Sequence, residues 1–236
     1  MAAFISAVIH GATGMAGGII LAAIASHVLG IKQAIPLVTV ALLLSHSSRA
    51  YFNRQYIAWD LVRLVMLSSA PFIVLGAITF VYLPATLVAL VMALVLLLSF
   101  PIKRYAKKHQ LRPSTRVLSI ASSAWGYLAG NVIGPGFILA PFLLGTGIGR
   151  VSFVASLAVI ALVLNFIKVV VFGLNDIIDQ ELLMLGIAVG IITVPGNWLG
   201  KKMLHFISDD THNNIINCMT VGVILNFLYL ASQNTV

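Results

Sequence analysis

The sequence has 236 residues, of which 60% are hydrophobic and only 8% charged. A soluble domain carries about a quarter charged residues, and the few polar side chains here could not cover so much apolar surface, so a soluble fold is excluded. The formal net charge of +8 does not indicate nucleic acid, because the basic residues gather at segment ends, above all Lys103, Arg104, Lys107, Lys108, Arg112 and Arg116, as expected of a cytoplasmic loop. Apolar runs between punctuating residues then give eight segments, near 2–30, 33–52, 60–80, 84–102, 115–148, 150–173, 181–200 and 213–231. Stretches such as 85–99 are apolar on every side, which suits a membrane helix and not an alternating barrel strand. The first and fifth segments are long and interrupted by helix breakers. These are Gly11, Gly14, Gly17 and Gly18 in one, and Gly130, Gly134, Pro135, Gly136 and Pro141 in the other. Residues 1–10 lack a basic n-region and do not read as a cleaved signal peptide. The single cysteine, Cys218, leaves no intramolecular disulfide, CxxC redox pair or cysteine-built zinc site.

The interruptions also form an internal repeat. Residues 17–23 (GGIILAA) align with 135–141 (PGFILAP), and 71–76 (PFIVLG) align with 195–200 (PGNWLG). Two matches in the same order, in corresponding segments, indicate a duplication: a first transmembrane repeat over 1–102, a basic cytoplasmic linker over 103–116, and a second repeat over 117–236. Charge constrains the topology. The loop with Asp176, Asp179 and Glu181 has no Lys or Arg, whereas the regions around Arg49, Arg54 and Arg63 and around Lys201 and Lys202 are basic. Eight simple crossings would put the acidic loop inside and Lys201 and Lys202 outside. If the first and fifth segments instead enter and return on one side, three crossings remain per half and the halves are inverted. The expected fold is therefore an all-α polytopic membrane protein with two inverted halves, each a broken first segment followed by three transmembrane helices. Such breaks are tolerated in a bilayer only where protein or a water-filled cavity satisfies the backbone, which points to a site between the halves.

A chain of this length, in which each half opens with a Gly-rich interruption followed by an apolar run, resembles the sulfite exporter TauE/SafE family. The carrying motifs are residues 14–20 (GMAGGII) and 130–141 (GNVIGPGFILAP). Ala16 and Pro135 interrupt the glycine runs of the family pattern, and Ala23 stands where a first-half proline is expected. The resemblance covers nearly the whole chain and implies a transporter of sulfur-containing anions or small organosulfonates, with no cofactor.

Several residues then become candidates for binding a small anion. Where a helix restarts after a break, its first N–H groups and dipole face an anion, which makes Gly14, Gly17, Gly18, Gly134, Pro135 and Gly136 candidates; Gly17, Gly18 and Gly136 let the anion approach the backbone without a Cβ in the way. The same glycines also suit close helix packing. Lys168 lies within an apolar run and reads either as a charge partner or as a snorkelling side chain. Ser45, His46 and Arg49 form a polar patch, and Asn165 falls opposite Ser47 across the repeat; these groups would hydrogen-bond sulfonate oxygens or one another. Thr13 and Asn131, matched across the repeat, flank the breaks. His10 and His46 are candidates for proton coupling. Trp59, Trp125 and Trp198 read as interfacial or packing aromatics.

These features suggest a secondary transporter, an exporter of sulfite or a small organosulfonate across a bacterial cytoplasmic membrane by alternating access, with the anion bound between the broken segments. The partners are the lipid bilayer and a small anion, and a homo-oligomer is compatible with the sequence. An anion channel, a non-transporting assembly factor and an intramembrane enzyme are the alternatives. No HExxH, GxSxG or paired intramembrane carboxylate supports the enzyme, and no metal site is expected.

Overall fold

The apolar runs form helices, and the breakers fall between them. The computed structural model describes residues 1–134, 136–204 and 209–233, and among these the regular elements are ten α-helices and one 3₁₀ turn. In chain order the helices are α1 (Ala2–Thr13), α2 (Ala16–Leu29), α3 (Ile31–Phe52), α4 (Trp59–Tyr82), α5 (Ala85–Lys108), α6 (Thr115–Asn131), α7 (Gly136–Gly145), α8 (Arg150–Leu174), α9 (Gln180–Leu204) and α10 (Asp209–Ser232). Four of them, α4, α5, α8 and α9, are long and apolar enough to cross a membrane. Their outward faces carry large exposed apolar side chains, among them Leu67, Leu75, Leu94 and Leu97, as lipid contact requires. The protein is a multi-pass helical membrane protein. The helix α3 is 22 residues long but more polar, and its polar residues Ser45, His46 and Arg49 are buried against protein.

The first and fifth segments are broken, each into two short helices. Gly14 ends α1 in the left-handed conformation, φ 87°, with its N–H on the His10 carbonyl, a C-terminal geometry that glycine adopts without strain. Gly134, φ 93°, lies in the break between α6 and α7. A Cβ built on Gly17 would stand 2.2 Å from the Ser6 carbonyl oxygen. In one straight helix residues 6 and 17 would be about 16 Å apart, so α2 turns back along α1. Likewise Gly145, at the end of α7, abuts the Leu111 carbonyl and Pro113, just ahead of the start of α6. With 12 and 14 residues, α1 and α2 reach only about 18 and 21 Å, short of the roughly 30 Å apolar core of a bilayer.

The main helix pairings show an exchange pattern. Helix α1 packs on α9 as α6 packs on α4; α3 packs on α9 as α8 packs on α4; and α2 meets α10 as α7 meets α5. The pairs α3 with α8 and α5 with α10 complete it, and replacing α1–α5 by α6–α10 leaves the set unchanged. Glycines set the two closest crossings. A Cβ on Gly200 would come within 2.8 Å of the Gly11 Cα, and one on Gly76 within 3.1 Å of the Gly130 Cα. Gly76 and Gly200 are the positions matched across the sequence repeat, and each meets a glycine of the other half.

The basic stretch 103–116 is helical to Lys108, and residues 109–114 connect α5 to α6. Lysine and arginine are good helix formers, and their charged ends extend the helix past its apolar run. Lys103 donates to Asn217 Oδ1 on α10. A related use of charge occurs at the ends of other helices: Lys32, at the start of α3, donates to the carbonyls of Phe80, Val81 and Leu83 at 2.6, 3.1 and 2.9 Å, capping α4, and Lys201 donates to the Phe52 carbonyl at the end of α3.

Candidate functional site

A break inside a membrane leaves helix-end carbonyls without intrahelical partners. Here the two breaks are capped alike. Arg49 of α3 donates through Nη2 to the Gly14 carbonyl at 2.8 Å, at the end of α1. Lys168 of α8 donates to the carbonyls of Ala129 and Val132 at 3.3 and 3.1 Å, at the end of α6. Both cations are buried, Arg49 2% and Lys168 1% exposed. Cations suit these positions because helix C-termini carry partial negative charge. The Lys168 side chain therefore does not snorkel to the surface; it turns inward onto backbone.

The Arg49 guanidinium also fixes a histidine. Its Nη1 lies 3.2 Å from His46 Nδ1. A guanidinium has no acceptor, so Nδ1 must accept, and the His46 proton then sits on Nε2. His10 of α1 meets His46 edge to face, with ring centroids 5.0 Å apart.

Between the two breaks lies a cavity of about 60 Å³, space for a few waters or one anion of a few heavy atoms. Its wall draws His10, Gly14, Met15 and Gly18 from the first break, Leu42 and His46 from α3, and Trp125, Val132, Ile133, Gly134 and Gly136 from the second break. Helix α8 adds Leu157, Ala161, Leu164, Asn165 and Lys168. No carboxylate is among the described lining residues, and the Arg63–Asp60 pair, 3.7 Å apart, is at the surface. No cluster of candidate metal ligands occurs among the described residues.

The structure thus brings together on one wall His10, Gly14, Gly18, His46, Gly134, Gly136, Asn165 and Lys168. Gly136 has room for a Cβ, which would make only ordinary van der Waals contact, 3.8 Å from Leu157 Cδ2 and 4.0 Å from Met15 Cβ. The remaining described candidates are not among the residues of the wall. Gly17 is pressed against Ser6 and His10, so it serves the α1–α2 packing. Thr13 donates to the Ile9 carbonyl and accepts from the Ala16 N–H, bridging the break. Ser45 accepts from Asn197 of α9 at 2.9 Å, Arg49 sits behind His46, and Asn131 donates to the Tyr127 carbonyl at 3.0 Å. Pro135 lies outside the described residues.

Two features of the site were not among the sequence candidates. Of the three tryptophans read as interfacial or packing aromatics, Trp125 is buried, 2% exposed, and lines the cavity, whereas Trp59 and Trp198 are 52% and 48% exposed. Its place in the middle of an interrupted segment, five residues before Gly130, was the available signal. The other is Asn197, fully buried, whose Nδ2 lies within 3.0 Å of the Ser45 carbonyl and Oγ and of the Ser48 Oγ. It couples α9 to α3.

Ten helices among the described residues, four of them long and apolar, with two breaks meeting at a cavity lined by the buried Lys168 side chain, place the chain among multi-pass helical membrane proteins. The family profile described as "Sulfite exporter TauE/SafE" matches residues 1–227, and the chain belongs to that family. No curated protein and no solved structure matches the chain.

Proposed function

We propose that the chain is a secondary exporter of sulfite or a small organosulfonate, working by alternating access in a bacterial cytoplasmic membrane, with the anion bound between the two broken segments. The observation that carries this reading is the cavity itself: a small space at both helix breaks, walled by glycine backbone and a buried lysine, with no carboxylate among its described lining residues. Such a wall offers positive potential and donors to an oxyanion and nothing to balance a cation.

Two inverted halves, 1–102 and 117–236, account for the exchange pattern of helix pairings, in which each half packs its broken hairpin on the other. One half then rocks against the other across the glycine crossings, and the cavity opens to alternate sides. The basic stretch 103–116 faces the cytoplasm in this arrangement. His10 and His46, on the cavity wall, are the groups available to couple a proton to the anion.

A ligand screen tests the assignment. Sulfite, thiosulfate, sulfoacetate, taurine and isethionate are added to the purified chain and the melting temperature is followed. At 100 times its Kd a ligand adds about 2.7 kcal/mol to stability, which gives a clear upward shift. A melting temperature unmoved by all five would remove the substrate assignment.

A further inference from the structure

We propose that Trp125 is a substrate-binding residue whose indole N–H donates a hydrogen bond to an oxyanion held in the cavity beside Lys168. The inference rests on the transporter reading above and adds to it a donor and the chemistry that donor selects.

The indole ring of Trp125 is buried on the cavity wall, and its Nε1 is buried with no hydrogen-bond partner in the protein. An indole N–H can only donate, and buried polar groups in native proteins are nearly always paired. Ser69 and Ser122 also have unpaired buried hydroxyls, but a hydroxyl rotates to find an acceptor, whereas the indole N–H direction is fixed by the packed ring. A fixed donor left unpaired on a residue that lines a cavity points to a ligand acceptor there.

Its neighbours show the same surplus. Lys168 has three N–H groups and uses two on the Ala129 and Val132 carbonyls, which leaves the third for the cavity it lines. His46, held by Arg49 as an Nδ1 acceptor, keeps its Nε2 proton to give. Three side chains on one wall thus have donors in hand. A ligand that only accepts, such as an oxyanion with several equivalent oxygens, satisfies all of them; an ammonium group or a metal cation satisfies none. The indole also makes the cavity unequal in its two halves. With Gly18 aligned on Gly136, Trp125 falls opposite Ala7, so one face of the anion meets a large aromatic donor and the other does not.

The test uses the full chain in detergent, with indole nitrogens labelled with ¹⁵N and sulfite as the probe. Sulfite should shift the Trp125 indole N–H resonance and leave those of the exposed Trp59 and Trp198 in place. Trp125→Phe, which keeps an aromatic ring and loses the N–H, should raise the sulfite Kd at least about tenfold while the unliganded melting temperature stays near wild type. If wild type binds sulfite and the Trp125 resonance does not move, the inference is wrong, whatever the substitution does to folding. Wild-type affinity in a folded Trp125→Phe chain overturns it as well. A wild-type chain that binds neither sulfite nor any of the small sulfonates overturns the functional reading and this inference with it.

Discussion

Replacing Lys168 by Met separates the two things this side chain does. The substitution keeps a long unbranched stem and removes the ammonium. Two carbonyls at the end of α6, those of Ala129 and Val132, then lose their donor inside the protein. A buried polar group left unpaired costs about 1–3 kcal/mol, so the unliganded chain should be destabilised by a few kcal/mol, less whatever a water in the cavity restores. The ammonium is also the only formal positive charge among the described residues of the cavity wall. A hydrogen bond to a charged group contributes about 1.5–3 kcal/mol, equivalent to roughly a 10- to 150-fold loss of anion affinity. The assay is paired: melting of the unliganded variant, and sulfite titration at a temperature where the variant remains folded. Lower stability together with weaker binding is expected. A folded Lys168→Met chain that binds sulfite as wild type does would refute the role in binding and leave Lys168 only as a cap for α6.

Three further outcomes follow from the packing. Gly76→Val and Gly200→Val should both prevent assembly of the folded chain, because even a Cβ there would stand 2.1 and 2.2 Å from the Tyr127 and Val8 carbonyl oxygens; gel filtration of the extracted protein reads this, and a monodisperse Gly200→Val peak would show the crossing to be looser than described. Gly136→Val should fold, since its Cβ meets nothing closer than 3.8 Å, yet fill the cavity and abolish transport; wild-type flux in that variant would move the anion elsewhere. Asn197→Leu removes the donor shared by Ser45 and Ser48 and should lower stability by about 1–3 kcal/mol in a melting experiment, while an unchanged melting temperature would show that these hydroxyls find other partners.

Much of this architecture was legible in the sequence because helix breakers and apolar length are local signals. Gly14 and Gly134 fall at the breaks, and the Gly76 and Gly200 match reflects equivalent crossings. The site was legible only in part. Lys168 was visible as a charge in an apolar run, but its carbonyl partners lie 36 and 39 residues away, beyond any periodicity. The same holds for Arg49 and Gly14, and for Asn197, whose partners on α3 lie 149 and 152 residues away. Gly17 and Gly18 are adjacent and identical in type, yet one packs α2 on α1 and the other lines the cavity; only the direction of the helix face separates them. For Trp125 the residue type alone did not separate a core from an interface position, because a tryptophan is at home in both; only its place inside an interrupted segment pointed to burial.

The most direct test of the account is efflux of ³⁵S-labelled sulfite from vesicles containing the purified chain. An alternating-access transporter predicts flux that saturates with internal sulfite, is competed by an organosulfonate, and is lost in Gly136→Val. Flux that rises in proportion to concentration without saturating, or vesicles no leakier to sulfite than protein-free lipid, would contradict it.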